Sequence, residues 1–396
     1  MLFRCLWLFI LLTQVDATAG SPGRIVTDQD VTVGAARFDQ YLDLLKRKKI
    51  AIVANPTSRV GNVHLVDTFL SLGVHIGCIF APEHGYRGEA AAGEHVKGGK
   101  DRASGIPVIS LYGKHNKPKQ DDLKGIDLVV FDIQDVGARF YTYSSTLQNV
   151  MEACADFNKP LLVLDRPNPN GHYVDGPVLD TSFKSFVGQV PIPVVHGVTM
   201  GEYARMLQGE HWLRTKRTLK LTIIPVANYR HSDLYQLPVA PSPNLPNMTA
   251  VYLYPSLCFF EGTPVSVGRG TDAPFQVYGY PGFPESDFTF KPISIPGKAT
   301  RPPFEDTLCS GRDLRRSFRL PESVPTRLEL NYLIQCFASW KYRRPFFTPF
   351  FDKLAGNESL RQLIFSGWNE ADIRKTWEAD LQQYKSIRSK YLLYPD

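Results

Sequence analysis

Carboxylates, amides, arginines and tyrosines gather in four short stretches of this 396-residue chain. The first is Asn55-Pro56-Thr57-Ser58, and the second is Pro82-Glu83-His84-Gly85-Tyr86-Arg87-Gly88. The third holds Asp132, Gln134, Asp135, Gly137, Arg139, Tyr141 and Tyr143, and the fourth is Asp165-Arg166-Pro167-Asn168-Pro169-Asn170-Gly171. That inventory suits sugar chemistry: a carboxylic acid to protonate a leaving oxygen, amides and carboxylates for hydroxyls, aromatic faces for a ring. Other chemistries lack their signatures. There is no G-x-G-x-x-G after the first strand-like run and no G-x-x-x-x-G-K-[ST], so a phosphate cradle is missing. A G-x-S-x-G nucleophile elbow is also absent, and no C-x-x-C or H-x-x-x-H pairing offers a zinc site. No metal and no cofactor is expected.

Glu83 is either a functional carboxylate or a surface turn residue, with His84 placed either to orient it or to hold its loop. Asp132 and Asp135 suit acid–base work as well as they suit capping the next helix or pairing with Arg139. Asp165 beside Arg166 is either a substrate contact or a structural ion pair. Asn55, Arg87, Tyr141, Asn168 and His196 are further candidates for ligand contacts. Glu261 and Arg269 flank glycine-rich turns later in the chain and could face the same cleft. Glu202 reads differently: Thr199-Met200-Gly201-Glu202 is a capping box, which assigns its carboxylate to a helix start.

Something must hold these loops on one edge. Runs rich in Val, Ile and Leu at Ile50–Ala54, Val74–Phe80, Val108–Tyr112, Leu128–Ile133, Leu161–Asp165 and Leu221–Val226 predict strands buried on both faces. Between them lie helical patterns: Phe38, Tyr41, Leu42 and Leu45; Leu65, Val66, Phe69 and Leu70, closed by Gly73; Leu147, Val150, Met151 and Cys154. Strands alternating with helices predict an α/β fold with a doubly wound parallel sheet, and ligands then bind beyond the carboxyl ends of the strands. Each of the four polar stretches follows such a strand.

From Pro238 to Pro303 the texture changes, with thirteen of the chain's 30 prolines. Loops and short edge strands carrying Tyr252, Tyr254, Phe275, Tyr278 and Tyr280 are expected there. Near the end, Ile373, Trp377, Leu381, Tyr384 and Ile387 keep a helical period.

Residues 1–19 read as a signal peptide: Arg4, the apolar run Leu6 to Leu12, and Ala17-Thr18-Ala19 as a cleavage pattern. The run is too short to span a bilayer, so an exported chain, periplasmic or extracellular and without stable membrane insertion, is expected. Beyond Cys5, the scattered Cys78, Cys154, Cys258, Cys309 and Cys336 form no disulfide framework. The net charge of +6 suits an acidic polymer as partner. A dense Lys/Arg stripe is lacking, which argues against nucleic acid.

Taken together, Pro82 to Gly88, Asp132-Ile133-Gln134-Asp135-Val136-Gly137-Ala138-Arg139 with Tyr141 and Tyr143, and Asp165 to Pro169 resemble the NamZ-like exo-β-N-acetylmuramidases, formerly a domain of unknown function. The likeness continues through Glu261-Gly262-Thr263 and Gly268-Arg269-Gly270-Thr271 and covers essentially the whole mature chain. It implies a Rossmann-like domain over 24–235 followed by a C-terminal α+β domain over 236–396, with the cleft between them. It also implies removal of terminal N-acetylmuramic acid from the non-reducing end of peptidoglycan-derived glycan, with Glu83 as catalytic carboxylate. The second group could be Asp132, Asp135, Glu94 or the substrate's own acetamido group. Arg87, Arg139, Arg166 and Arg269 have the sign and geometry to read the lactyl carboxylate. A metal-dependent hydrolase built on Glu83, His84, Asp132 and Asp135, and a non-catalytic binder of cell-wall fragments, stand as alternatives.

Overall fold

All six predicted strands form, and their side-chain alternation explains why. The computed structural model describes residues 23–87, 98–284, 286, 288–319 and 321–396; the expected signal peptide over 1–19, Gly88 and Glu94 lie outside them. Strands β1 (Lys49–Ala54), β2 (His75–Ala81), β3 (Gly99–Lys100), β4 (Pro107–Ser110), β5 (Leu128–Asp132), β6 (Leu161–Leu164) and β7 (Leu221–Ile224) make one sheet, ordered β7-β6-β5-β1-β2-β4-β3. Every neighbouring pair is parallel except β3 with β4.

Helices α1 (Phe38–Leu45), α2 (Leu65–Ser71), α3 (Tyr143–Asp156) and α4 (Met200–Gly209) cover the two faces. Successive residues of a strand point to opposite faces. Ile50, Ile52 and Ala54 therefore enter a core with Tyr41, Leu45, Leu65 and Phe69, while Ala51 and Val53 enter another with Leu147, Val150, Met151 and Leu207. Gly73 takes φ +73° after α2, and the Thr199–Glu202 capping box closes reciprocally at the start of α4. Cys78 and Cys154 pack in the core as free thiols.

The chain winds outward from β1 through β2 to β4, then returns to the other flank of β1 with β5, β6 and β7. The strand order thus reverses between β1 and β5, the position at which open sheets of this kind commonly bind ligands past the carboxyl ends.

The proline-rich segment departs from expectation. A ten-residue helix, α5 (Met248–Leu257), runs through it with Pro255 inside, so Tyr252 and Tyr254 lie on a helix rather than in loops. Asn247 caps its start by accepting from the Ala250 N–H at 3.0 Å. Pro255 has no N–H to offer the Val251 carbonyl; the side-chain amide of Asn170 donates to that carbonyl instead, at 3.2 Å. A donor from the loop after β6 thus makes the proline tolerable.

Beyond α5, strands β8 (Val277–Tyr280), β9 (Phe288–Phe290) and β10 (Cys309–Asp313) form a small antiparallel sheet, ordered β8-β10-β9. Helices α6 (Asn331–Ser339), α7 (Pro349–Ala355), α8 (Ser359–Phe365), α9 (Glu370–Lys375) and α10 (Glu378–Arg388) complete the chain. The period expected to run from Ile373 to Ile387 as one helix is split. Thr376 and Trp377 tighten to bonds three residues back, at 3.0 and 3.3 Å, and the Thr376 hydroxyl takes the Ile373 carbonyl at 2.7 Å. One continuous core joins the sheet to Tyr254, Phe259, Phe351, Trp377 and Tyr384. Among the described residues no helix is long and apolar enough to cross a membrane.

Candidate active site

Glu83 and His84 follow β2 in a turn closed by the Gly85 N–H on the Pro82 carbonyl at 3.0 Å. His84 has φ +70° and Gly85 φ +79°. Two successive left-handed residues turn the chain sharply, and for histidine that conformation is uncommon. The turn presents Glu83 to a cavity of about 230 Å³. Its carboxylate accepts from the Thr142 hydroxyl at 3.1 Å. The Tyr112 and Tyr143 hydroxyls, which also line the cavity, both titrate above the usual tyrosine range, through burial first and the nearby Glu83 charge second. Both stay protonated and able to donate near neutral pH.

The opposite wall comes from the second half of the chain. Glu261, in a 3-10 turn over Cys258–Gly262, accepts from Arg269 Nε at 2.5 Å. The Arg269 guanidinium lies 5.0 Å from the centre of the Phe275 ring, a cation–π distance. Burial opposes its charge, and Glu261 more than offsets that, leaving Arg269 above its ordinary value. Arg269 Nη1 is buried and has no hydrogen-bond partner among the described residues. Phe275 has φ +55°, an outlier for a bulky side chain. Strained backbone of this kind concentrates at ligand sites, and here two such residues, His84 and Phe275, line one cavity. Tyr141 and Tyr254 complete an edge-to-face aromatic chain, with centroids 5.7 Å apart, and Tyr254 reaches Phe275 at 4.9 Å.

The cavity therefore gathers Glu83, His84, Tyr141, Glu261 and Arg269 from the candidates. The others are turned to holding the strand ends. Asp132 is wholly buried and chelated by Arg166, with Nε at 2.6 Å and Nη2 at 2.9 Å. Arg166 also donates to the Arg59 carbonyl at 2.8 Å. Asp165 accepts from the Thr199 hydroxyl, the Gly201 N–H, the Tyr394 hydroxyl and the Arg166 N–H at 2.6, 2.8, 2.6 and 3.0 Å. Arg139 does not pair with a carboxylate. It is buried, and its two terminal nitrogens donate to the carbonyls of Pro177, Ile192, Leu354 and Ala355 at 2.8–2.9 Å.

Asp135 accepts from the Gly137 N–H at 2.6 Å and lies 3.6 Å from His196 Nε2, both side chains buried. Asn168 donates to the Val198 carbonyl at 2.9 Å, and Asn55 accepts from the Thr57 N–H at 2.9 Å. Arg87 reaches Asp101 at 3.0 Å and Asp67 at 3.4 Å. Asp132 and Asp135 thus do not line the cavity with Glu83, and among the described residues no three His, Cys, Asp or Glu side chains are arranged to hold a metal ion.

Tyr112, Thr142 and Phe186 are among the wall residues that escaped the sequence reading. Tyr112 follows the third parallel strand, so the strand-end rule that found the other loops applies to it too. Thr142 sits between two tyrosines already noted, and only its bond to Glu83 reveals it. Phe186 stands at a turn between elements and carries no local signal.

Known proteins match both halves of the chain. Residues 50–249 match the family described as exo-β-N-acetylmuramidase NamZ, N-terminal, and residues 252–394 match its C-terminal counterpart. The peptidoglycan β-N-acetylmuramidase NamZ of Bacillus subtilis is 36% identical over 98% of this chain and 97% of its own length. A crystal structure of a DUF1343 family protein from Bacteroides fragilis superposes with a TM-score of 0.85 at 46% identity, covering 93% of this chain and 99% of the other. A second from the same organism gives 0.77 at 27% identity, covering 92% and 99%. With both halves matched in order and near-complete coverage on each side, the chain belongs to the NamZ exo-β-N-acetylmuramidase family.

Proposed function

We propose that the protein is an exo-acting glycoside hydrolase that releases terminal N-acetylmuramic acid from the non-reducing end of peptidoglycan-derived glycan. The observation that carries this reading is the buried Nη1 of Arg269, without a hydrogen-bond partner among the described residues, in the same small cavity as Glu83. A recess of about 230 Å³ is smaller than the roughly 300–1,000 Å³ of drug-sized pockets and suits a single sugar ring. Muramic acid differs from glucosamine by a lactyl carboxylate, and a desolvated guanidinium is the matching group.

The two carboxyl groups divide the work by environment. Glu261 is tied to Arg269 at 2.5 Å and is suited to hydroxyl recognition or charge stabilisation. Glu83 accepts from the Thr142 hydroxyl at the cavity wall, beside Tyr112 and Tyr143, and serves as the general acid that gives a proton to the leaving oxygen. As the C–O bond breaks its electrons go to that oxygen, which takes the Glu83 proton; water then bonds to the sugar carbon and its released proton returns to the Glu83 carboxylate. Glu261 or the substrate's acetamido group supports the positive charge at that carbon, in place of Asp132, which Arg166 neutralises.

The sheet order supports reading 24–235 as Rossmann-like, with 236–396 as an α+β domain that closes the cavity. The positive start, short apolar run and cleavage pattern of residues 1–19 support export to a periplasm or the exterior. The test is hydrolysis of a chromogenic N-acetylmuramic acid glycoside beside its N-acetylglucosamine analogue. Turnover of the first at least tenfold faster is expected, and no turnover of the first would refute the reading.

A further inference from the structure

A wider basin of about 520 Å³ adjoins the cavity, and Phe186 belongs to the walls of both. Ser185 and Gly188 exchange backbone hydrogen bonds at 2.9 and 3.1 Å, so Phe186 and Val187 form the tip of a two-residue turn standing between the two spaces. Helix α3 gives the scale. Its first residue, Tyr143, lines the cavity, whereas Asn149 and Glu152 line the basin. Six and nine residues at 1.5 Å rise place them about 9 to 14 Å further along the axis. The basin thus continues along α3 from the cavity, with about twice its volume.

Its lining is polar and held in place. Gln189 Nε2 donates to the Ser145 carbonyl and to Asn149 Oδ1, each at 3.3 Å, and Asn149 Nδ2 donates to the Asn116 carbonyl at 2.8 Å. Fixed amides of this kind suit acetamido and hydroxyl groups. The basin's one lining carboxylate, Glu152, is engaged by Lys117 Nζ at 3.2 Å and by the Arg214 N–H at 3.1 Å. Lys117 is further committed to Asp156 at 3.0 Å. Lys184 and Arg214 also line the basin, and neither forms an ion pair among the described residues. Lys184 stands two residues before Phe186, and Arg214 stands beside Glu152, nine residues along α3 from Tyr143.

We propose that this basin binds the glycan beyond the scissile bond. Phe186 lies beneath the first sugar of the leaving group, and Lys184 and Arg214 meet the carboxylate of the next muramic acid unit. The inference rests on the muramidase reading of the cavity and deepens it. Peptidoglycan alternates neutral glucosamine with anionic muramic acid, so the first leaving sugar is neutral and the second carries the charge. Only a fragment longer than a disaccharide reaches both cations, which makes the enzyme prefer longer fragments.

The experiment compares kcat/KM for an aryl muramic glycoside, the muramoyl-glucosamine disaccharide and the corresponding tetrasaccharide. The unaltered protein and a Lys184→Ala/Arg214→Ala double variant are measured at low and high salt. The unaltered protein should favour the tetrasaccharide over the disaccharide by about tenfold, the scale of one charge-assisted contact. The double variant should lose that preference, and salt should erode it in the unaltered protein. Equal rates on both fragments in the unaltered protein, or a preference that survives the double substitution, overturn the proposal. Failure to hydrolyse the aryl glycoside would instead sink the reading of the cavity, so the two failures are told apart.

Discussion

The Thr142 hydroxyl donates to the Glu83 carboxylate across 3.1 Å, joining the loop after β2 to the residue that opens α3. The Glu83 side chain is therefore positioned from two sides, by the left-handed turn at His84 and by the start of a buried helix.

Glu83→Gln keeps that hydrogen-bonding geometry but removes the transferable proton. For the natural disaccharide, kcat should fall by about 10²–10⁴-fold, with smaller losses on an activated aryl glycoside and little change in binding. Circular dichroism checks folding. A folded variant with near-normal turnover of the disaccharide would remove Glu83 from the role.

Of the four arginines considered for the lactyl carboxylate, Arg269 alone lines the cavity. Arg269→Ala should cost about 10- to 150-fold in kcat/KM on muramic substrates, the equivalent of a charge-assisted hydrogen bond. Discrimination against the glucosamine analogue should shrink with it. Equal losses on both sugars would show that Arg269 only holds Glu261.

Asp132→Ala tests the structural assignment of the Asp132–Arg166 pair. Removing one partner of a buried pair leaves an uncompensated charge and costs about 3–5 kcal/mol. Denaturant unfolding should show a loss of that order. A stability change within error would return Asp132 to the list of catalytic candidates.

Asn170→Ala should leave the Val251 carbonyl without its side-chain donor beside Pro255, costing about 1–3 kcal/mol. Because α5 carries Tyr254, activity should fall more steeply with temperature than in the unaltered protein. Coincident melting and activity curves for the two proteins would count against this.

Prolonged chelation should leave hydrolysis unchanged, since acid–base work here is assigned to protein carboxyl groups. Loss of activity restored by one divalent ion would favour the metal-dependent alternative.

The α/β sheet and the Glu83 loop were legible in sequence because their causes are local. Runs such as Ile50–Ala54 state burial on both faces directly, and Thr199 to Glu202 states a helix start. The role of each polar residue at the strand ends was not legible, because Asp, Arg and Asn serve equally to bind a ligand or to satisfy buried backbone. Asp132 and Arg166 are 34 residues apart, and Arg139 meets the carbonyls of Leu354 and Ala355 from the far end of the chain. Sequence reading offered four polar loops as one crevice. Folding spent Asp132, Arg139, Asp165 and Arg166 on welding the strand ends together, and brought Glu261 and Arg269 across to face Glu83. Which carboxylates stay open to a ligand depends on what packs over them, and that is decided only when distant segments close the structure.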